Sequence, residues 1–320
     1  MSYRAAIIGA GRIGAMLDDP GNPLILTHAH GYAACEDFEI VGFVDRDPAR
    51  ARDASARWGG AAFESIPQLF EAEPVDLVSV CLPDELHHAA LRALAEVPVR
   101  LIFLEKPAVR TPAEADEIRA LYAELPVRVQ VNYTRRFLPA LRCLRDAIRN
   151  GDYGKFLTGM GYYGKGLLHN GSHMLDLLRF FLGEVRSVAT LGEVADFRDD
   201  DPSVSALLTM CCGGVFHLSH IDSRAFHIFE LDLTFERKRV RITELGTSIE
   251  TYSVGDDKLF EGYRTLNRDS QSSTEFTMAM HYAIGNIRNN LDSNEPLMCP
   301  LEDSLETVLT CSRILRGGRE

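Results

Sequence analysis

The feature that most constrains this chain is a short apolar run that leads directly into a glycine-spaced turn. Ala5-Ala6-Ile7-Ile8 is followed by Gly9-Ala10-Gly11-Arg12-Ile13-Gly14, which fits G-x-G-x-x-G. The apolar run reads as a buried strand. The first glycine permits the tight turn, the second lets backbone approach a pyrophosphate, and the third lets a helix pack closely on the strand. The N-terminus of that helix then faces the phosphates. Glycine-rich hexapeptides also make ordinary loops. Here the strand before the turn and the strand–helix units after it favour dinucleotide binding.

The next strand supports this. Ile40-Val41-Gly42-Phe43-Val44 ends in Asp45, where a carboxylate can accept hydrogen bonds from both hydroxyls of an adenosine ribose and repel a 2′-phosphate. That favours NAD. Arg12 and Arg46, each able to stack on adenine or pair with a 2′-phosphate, keep NADP open. Gly14 and Asp45 lie 31 positions apart, against a usual spacing of about 20. The excess falls in residues 15–27, which contain Asp18-Asp19-Pro20-Gly21-Asn22-Pro23 and cannot be continuous helix. It reads as an insertion at the carboxyl edge of a sheet, serving as a lid or substrate contact, a surface decoration, or a subunit contact.

The first half goes on alternating strands and helices. Asp47 caps a helix lasting to Trp58, Val75 to Cys81 is apolar, and Pro83-Asp84 opens a helix lasting to about Leu94. Leu101–Leu104 and Val127–Val131 read as strands, and Thr111 with Glu114 forms a capping box between them. Apolar strands separated by helices predict a parallel sheet covered on both sides. After about Asn150 the texture changes. A helix over Met174–Leu182 precedes short alternating segments at Ser187–Val194, Val204–Met210, Gly214–His220, Ile228–Phe235, Val240–Ile242 and Ser248–Tyr252. These predict a largely antiparallel sheet, and helices over Thr274–Asn290 and Leu301–Leu315 follow it.

Composition restricts the partners. A net charge of −12 disfavours nucleic acid and anionic membrane surfaces, without forbidding one small anion held by local donors. Seven cysteines with no CxxC spacing suggest a reduced, cytoplasmic setting and no zinc ribbon. No apolar run is long enough for a membrane span, and the start of the chain lacks the pattern of a secretory signal. His217, His220, His227 and His281 show no metal-ligand spacing, so no metal is expected.

Glu105-Lys106-Pro107 follows the fourth apolar strand, so Lys106 projects from the carboxyl edge of the sheet. A lysine there can polarise a carbonyl or hydroxyl and relay its proton, with Glu105 tuning its charge.

In order, Gly9–Gly14, Asp45, Pro83-Asp84-Glu85-Leu86-His87, Glu105-Lys106-Pro107, Asn132-Tyr133-Thr134-Arg135-Arg136-Phe137 and Gly171-Ser172-His173-Met174-Leu175-Asp176 resemble the glucose–fructose oxidoreductase, inositol dehydrogenase and rhizopine-catabolism family (Gfo/Idh/MocA). The resemblance covers nearly the whole chain. It implies an α/β protein with an N-terminal Rossmann domain, a doubly wound parallel sheet, over residues 1–132. Residues 133–320 would form an α/β domain with an open-faced, largely antiparallel sheet for substrate binding and oligomerisation. It implies NAD(P)-dependent hydride transfer to or from a hydroxyl-bearing carbon of a sugar, cyclitol or nucleotide sugar. The cofactor would be held by Gly9, Gly11, Arg12, Ile13, Gly14, Asp45, Arg46, Leu82, Pro83, His87, Glu105 and Lys106. Lys106, His173 and His169 would carry catalysis, and Lys165, Asn170, Asp176, Tyr133 and Arg136 would meet the substrate.

The pattern departs from the family at one informative place. Members often read D-x-G-x-H-x-x-D, and this chain has His169 at the first position. Histidine still exchanges protons near neutrality but lacks a fixed negative charge to support the Lys106 ammonium. That substitution keeps open a second class, a non-catalytic NAD(P)-binding regulator or sensor. The remaining alternatives are the same fold acting on an imine or bilin, and a structural oligomer subunit. An open sheet face exposing Val204, Leu207 and Leu218 would call for a homodimer or homotetramer.

Overall fold

The computed structural model describes residues 2–317, and the chain divides into two compact units. One runs through Phe137 and resumes over Thr277–Val308; the other covers Leu138–Phe276 and takes up again at Leu309. Relative to a division into 1–132 and 133–320, the first unit extends to Phe137 and includes the returning segment Thr277–Val308.

The first unit is built on six parallel strands. They are β1 (Tyr3–Ile8), β2 (Phe38–Val44), β3 (Ala61–Phe63), β4 (Leu77–Val80), β5 (Leu101–Leu104) and β6 (Arg128–Val131), in the order β3-β2-β1-β4-β5-β6. Strands β4 and β5 are buried along their whole length, as expected of a sheet with helices on both faces. The order reverses between β1 and β4, and such a switch point is where ligands of doubly wound sheets bind. The helices here are α1 (His28–Ala33), α2 (Pro48–Trp58), α3 (Ile66–Ala72), α4 (His87–Leu94) and α5 (Pro112–Ala123). Asp47 caps α2 through the Ala49 N–H, and Thr111 with Glu114 closes the capping box of α5.

The helix expected after the glycine turn is different. It is a single wide π-type turn, Arg12–Met16, and the chain becomes helical again only at α1. The intervening insertion is organised around Asp18, which is 4% exposed. Its carboxylate accepts from the N–H groups of Leu26 (2.7 Å) and Thr27 (3.1 Å), the Thr27 hydroxyl (2.6 Å) and the His30 ring (2.9 Å). Thr27 then caps α1 through the His30 N–H.

In the second unit, α6 (Pro139–Arg149) and α7 (Ser172–Leu182) accompany a sheet of eight strands. These are β7 (Phe156–Tyr163), β8 (Val185–Arg198), β9 (Asp201–Met210), β10 (Val215–His220), β11 (Glu230–Phe235), β12 (Lys238–Thr243), β13 (Ser248–Asp256) and β14 (Arg264–Ser273). The order is β14-β13-β12-β11-β7-β10-β9-β8, antiparallel except for the β7–β10 pair. Helix α8 (Ala279–Ser293) and the start of α9 (Leu301–Leu315) belong to the first unit.

Strand β7 escapes the pattern because Gly159 and Gly161 interrupt it. A Cβ on Gly161 would lie 2.8 Å from both Met174 Sδ of α7 and Phe216 Cζ, so the glycine is what lets the helix close on the sheet. The apolar open face needs correction. Val204 and Leu218 are buried, at 0% and 1% exposure, and only Leu207 of the three is half-exposed. The register aligns Leu207, His217, Met160, Asp232, Arg241 and Glu250 in one row across that face. Its far end is therefore an ion-pair ladder, with Arg241 3.7 Å from Asp232 and 3.3 Å from Glu250. Among the described residues, no helix is long and apolar enough to cross a membrane, and no cluster of three His, Cys, Asp or Glu side chains is poised for a metal.

Candidate active site

At the switch point of the first unit lies a cavity of about 420 Å³. It is lined by Gly9, Gly11, Arg12, Ile13, Asp45, Arg46, Leu82 and Pro83, all expected from the sequence, and by Ile8, Val44, Arg50, Cys81 and Leu86, which were not. Arg50 stands in the first turn of α2, just after the Asp47 cap. The glycines have separate jobs. Gly9 has φ +96°, and a Cβ there would meet the Cys81 carbonyl oxygen at 2.7 Å. Gly14 is buried under the turn, its hypothetical Cβ 2.1 Å from the Gly9 oxygen. A Cβ on Gly11 would meet nothing within 4 Å, so this position opens onto free space, as the approach of a pyrophosphate requires. The short Arg12–Met16 turn still leaves its first N–H groups without intrahelical partners.

Asp45 is 8% exposed and braces this turn. One carboxylate oxygen accepts the Ala10 N–H and the other the Asp47 N–H, both at 2.9 Å. Each oxygen keeps a further lone pair. Three arginines, Arg12, Arg46 and Arg50, line the same cavity.

Glu105 and Lys106 leave the carboxyl end of β5. Glu105 Oε1 accepts from Asn132 Nδ2 at 2.7 Å and lies 2.9 Å from His28 Nε2. Burial alone raises its carboxyl. The hydrogen bond and charge interaction with His28, the Asn132 hydrogen bond and the Lys106 ammonium more than reverse that, holding it below the ordinary glutamate range. Nearby, burial and then the Glu105 charge push the Cys81 thiol well up, so it is no thiolate nucleophile. His87 is not on the cofactor surface. It is fully buried, with one ring nitrogen 2.7 Å from the Pro107 carbonyl and the other 2.9 Å from that of Leu82, so it ties the loop after β4 to the loop after β5. Tyr133 and Arg136, expected at the substrate, are also buried in this unit's framework, where Arg136 pairs with Asp303 and reaches the Met298 carbonyl.

In the second unit, α7 is buried at every residue except His173. Asp176 is buried one turn further on. The preceding loop is held by two carboxylates that the sequence reading missed. Asp201 accepts the N–H groups of Leu168 (2.7 Å) and His169 (2.9 Å). Asp196 accepts those of Lys165 (2.7 Å) and Ser223 (2.9 Å) and the Ser203 hydroxyl (2.8 Å). Burial works against the ionised Asp196, and these donors outweigh it, bringing its pKa down to about 2. Lys165 sits at φ +70° and Asn170 Nδ2 is bonded to the Gly164 carbonyl. The His169 ring stacks on Phe197 with centroids 4.5 Å apart, and the Lys165 ammonium lies 5.6 Å from the same ring.

Residues 3–133 match the model of an oxidoreductase family with an NAD-binding Rossmann fold, GFO_IDH_MocA. A putative UDP-kanosamine synthase oxidoreductase subunit from Amycolatopsis mediterranei is 33% identical over 213 residues, 61% of this chain and 56% of that protein. An inositol 2-dehydrogenase from Renibacterium salmoninarum is 30% identical over 193 residues, 56% of this chain and 54% of the relative. The matched segment thus spans about half the length of these curated relatives. Among solved structures, a putative NADPH-dependent oxidoreductase from Desulfitobacterium hafniense superposes with a TM-score of 0.82 at 16% identity, covering 99% of this chain and 95% of that one. A UDP-N-acetylglucosamine 3-dehydrogenase from Acidithiobacillus ferrooxidans gives 0.77 at 19% identity, covering 98% and 97%. At such identities the likeness shows the fold, and it shows it over both units.

Proposed function

Since residues 3–133 match the Gfo/Idh/MocA oxidoreductase family model, we propose that the chain is an NAD(P)-dependent dehydrogenase or reductase acting on a CH–OH carbon. The substrate class is a sugar, cyclitol or nucleotide sugar. One observation carries the reading: the turn at Gly11 opens onto a cavity that also holds a braced carboxylate, Asp45, at the switch point. These residues fit a dinucleotide. Gly11, Arg12 and Ile13 would receive the pyrophosphate on backbone N–H groups, while the Gly9 N–H is held by the Val44 carbonyl, and Asp45 would receive the adenosine ribose, with NAD the preferred cofactor. The bound nicotinamide supplies or accepts a hydride.

The chain's own residues do the rest. Lys106 stabilises the alkoxide that develops on the reacting oxygen, supported by the ionised Glu105 beside it. His173, the half-exposed residue of an otherwise buried helix, takes the hydroxyl proton or returns it in the reverse direction. His169 assists that transfer in place of the family's aspartate. Lys165, Asn170 and Asp176 orient the substrate or the histidines. The protein acts in the cytoplasm as a homodimer or homotetramer.

The test is a fluorescence titration with NADH and NADPH, followed by turnover assays on a panel of inositols, sugars and nucleotide sugars. Cofactor binding with turnover of at least one member supports the reading. Binding with no turnover on any member would favour a sensor, and no binding at all would remove the cofactor assignment.

A further inference from the structure

His28 stands outside the residues that the sequence pattern singles out, yet it is fully buried and reaches the acid beside Lys106. Its surroundings form a directional chain. The ionised Glu105 can only accept, so His28 Nε2 carries the proton toward Oε1 at 2.9 Å. In the tautomer that carries its single proton on Nε2, Nδ1 is an acceptor and takes the Ser79 hydroxyl at 2.8 Å. Ser79 has one proton and donates it there, so its oxygen accepts from Tyr32 Oη at 2.7 Å. Ser79, Tyr32 and His28 are all 0% exposed. The His28 ring also packs on Phe103 of β5, with centroids 4.5 Å apart. Three buried donors thus line up behind a single carboxylate oxygen, and Asn132 Nδ2 reaches the same atom from the end of β6.

What delivers His28 is the insertion. Asp18, two residues past the Arg12–Met16 turn, gathers Leu26, Thr27 and His30, and Thr27 starts α1 with His28 as its first residue. We propose that His28 is a positioning residue for the acid–base centre: the Asp18-clamped loop sets it against Glu105, where it fixes the orientation and ionisation of the carboxylate that supports Lys106. This rests on the oxidoreductase reading above. It gives residues 15–27 a framework role, that of re-entering α1 in register behind the site.

The groups that act on Glu105 are His28 from α1, Lys106 on its own strand end, Cys81 from the loop after β4, and Tyr32 through Ser79. Removing the His28 N–H leaves burial opposed only by Asn132 and Lys106. Glu105 then takes up a proton at higher pH, and its support of Lys106 fails there.

The experiment compares full-length wild type with His28→Phe, His28→Leu and His28→Gln. The two apolar variants differ in shape, and whichever retains wild-type thermal unfolding is the one read. Glutamine keeps an amide N–H that can reach Glu105. Two readouts are taken: the acid limb of kcat against pH, and the 13C titration of the Glu105 carboxyl, assigned with Glu105→Gln. The apolar variant is expected to move both upward by about one pH unit or more, with NADH affinity within about twofold of wild type. Glutamine should restore most of the shift, an effect that simple loss of packing would not produce. An apolar variant whose carboxyl titration stays at the wild-type position overturns the proposal. The carboxyl titration needs no substrate, so absence of turnover on every polyol would sink the oxidoreductase reading while leaving the His28 result readable.

Discussion

Replacing Asp45 with alanine separates two roles that the structure gives one side chain. The carboxylate accepts the N–H groups of Ala10 and Asp47, both at 2.9 Å. Ala10 is 0% exposed, so its N–H would lose its partner in a buried setting, whereas Asp47 is half-exposed and water can replace the bond. One orphaned buried donor costs about 1–3 kcal/mol. For a unit of this size that lowers the unfolding midpoint by roughly 2–10 °C. Loss of the charged acceptor for the ribose costs a further ~1.5–3 kcal/mol, or about 10–150-fold in NAD affinity. A 2′-phosphate would instead lose a repulsive neighbour and keep Arg12, Arg46 and Arg50. Damage to the turn weakens both cofactors alike, so the ratio of their dissociation constants isolates the ribose contribution. Fluorescence titrations of NADH and NADPH against wild type and Asp45→Ala should show that ratio moving toward NADPH by about tenfold or more. Equal weakening of both, with the ratio unchanged, would reduce Asp45 to a brace of the glycine turn.

Three further outcomes follow from other parts of the molecule. Lys106→Ala should lower turnover by about a hundredfold or more while leaving cofactor affinity within a few-fold, because an oxyanion donor is worth ~2.7–4 kcal/mol in the transition state; unchanged turnover on the true substrate would remove the lysine from the chemistry. Gly14→Ala would put a Cβ 2.1 Å from the Gly9 oxygen, so the turn must open and NADH binding should be lost; wild-type binding by this variant would contradict the geometry of the turn. Asp196 is depressed from 3.8 to about 2 in the folded chain, so the stability it contributes is complete above the unfolded value and disappears as pH falls through about 2. Urea midpoints measured between pH 6 and 2 should therefore fall less steeply for Asp196→Asn than for wild type, and parallel curves would show that the depressed carboxylate is not what the acid limb reports.

Most of the first unit could be read from the sequence because its strands bury both faces and announce themselves as continuous apolar runs. The gaps have specific causes. Strand β7 carries Gly159 and Gly161 where packing against α7 and Phe216 leaves no room for side chains, so the sequence shows punctuation where the structure has a central strand. Strand β14 is exposed almost throughout and is placed by its ladder to β13, so no apolar alternation marks it. The open face went wrong for a related reason. Alternation shows that Val204 and Leu218 share a face with other apolar residues, but it does not say whether that face meets the chain's own helices or solvent.

The site divides along a different line. Gly9, Gly11 and Asp45 were legible because backbone approach and a strand-end acid impose residue types at fixed spacing. His87, Tyr133 and Arg136 carry equally suggestive chemistry, yet both His87 nitrogens face carbonyls and Arg136 is paired with Asp303. The converse cases are Asp18, Asp196, Asp201 and His28. Each acts on backbone N–H groups or on one buried carboxylate that the fold brings near, from as far as 77 positions away for His28 and Glu105. No periodicity encodes such a pairing. Residue type states which bonds a side chain is able to make; burial and the partners already engaged decide whether it meets a ligand or holds the residue that does. In this chain the insertion after the glycine turn, which read as a lid or substrate contact, a surface decoration or a subunit contact, belongs with the second group. Its one buried acid sets the start of α1, and through His28 the start of α1 bears on Glu105.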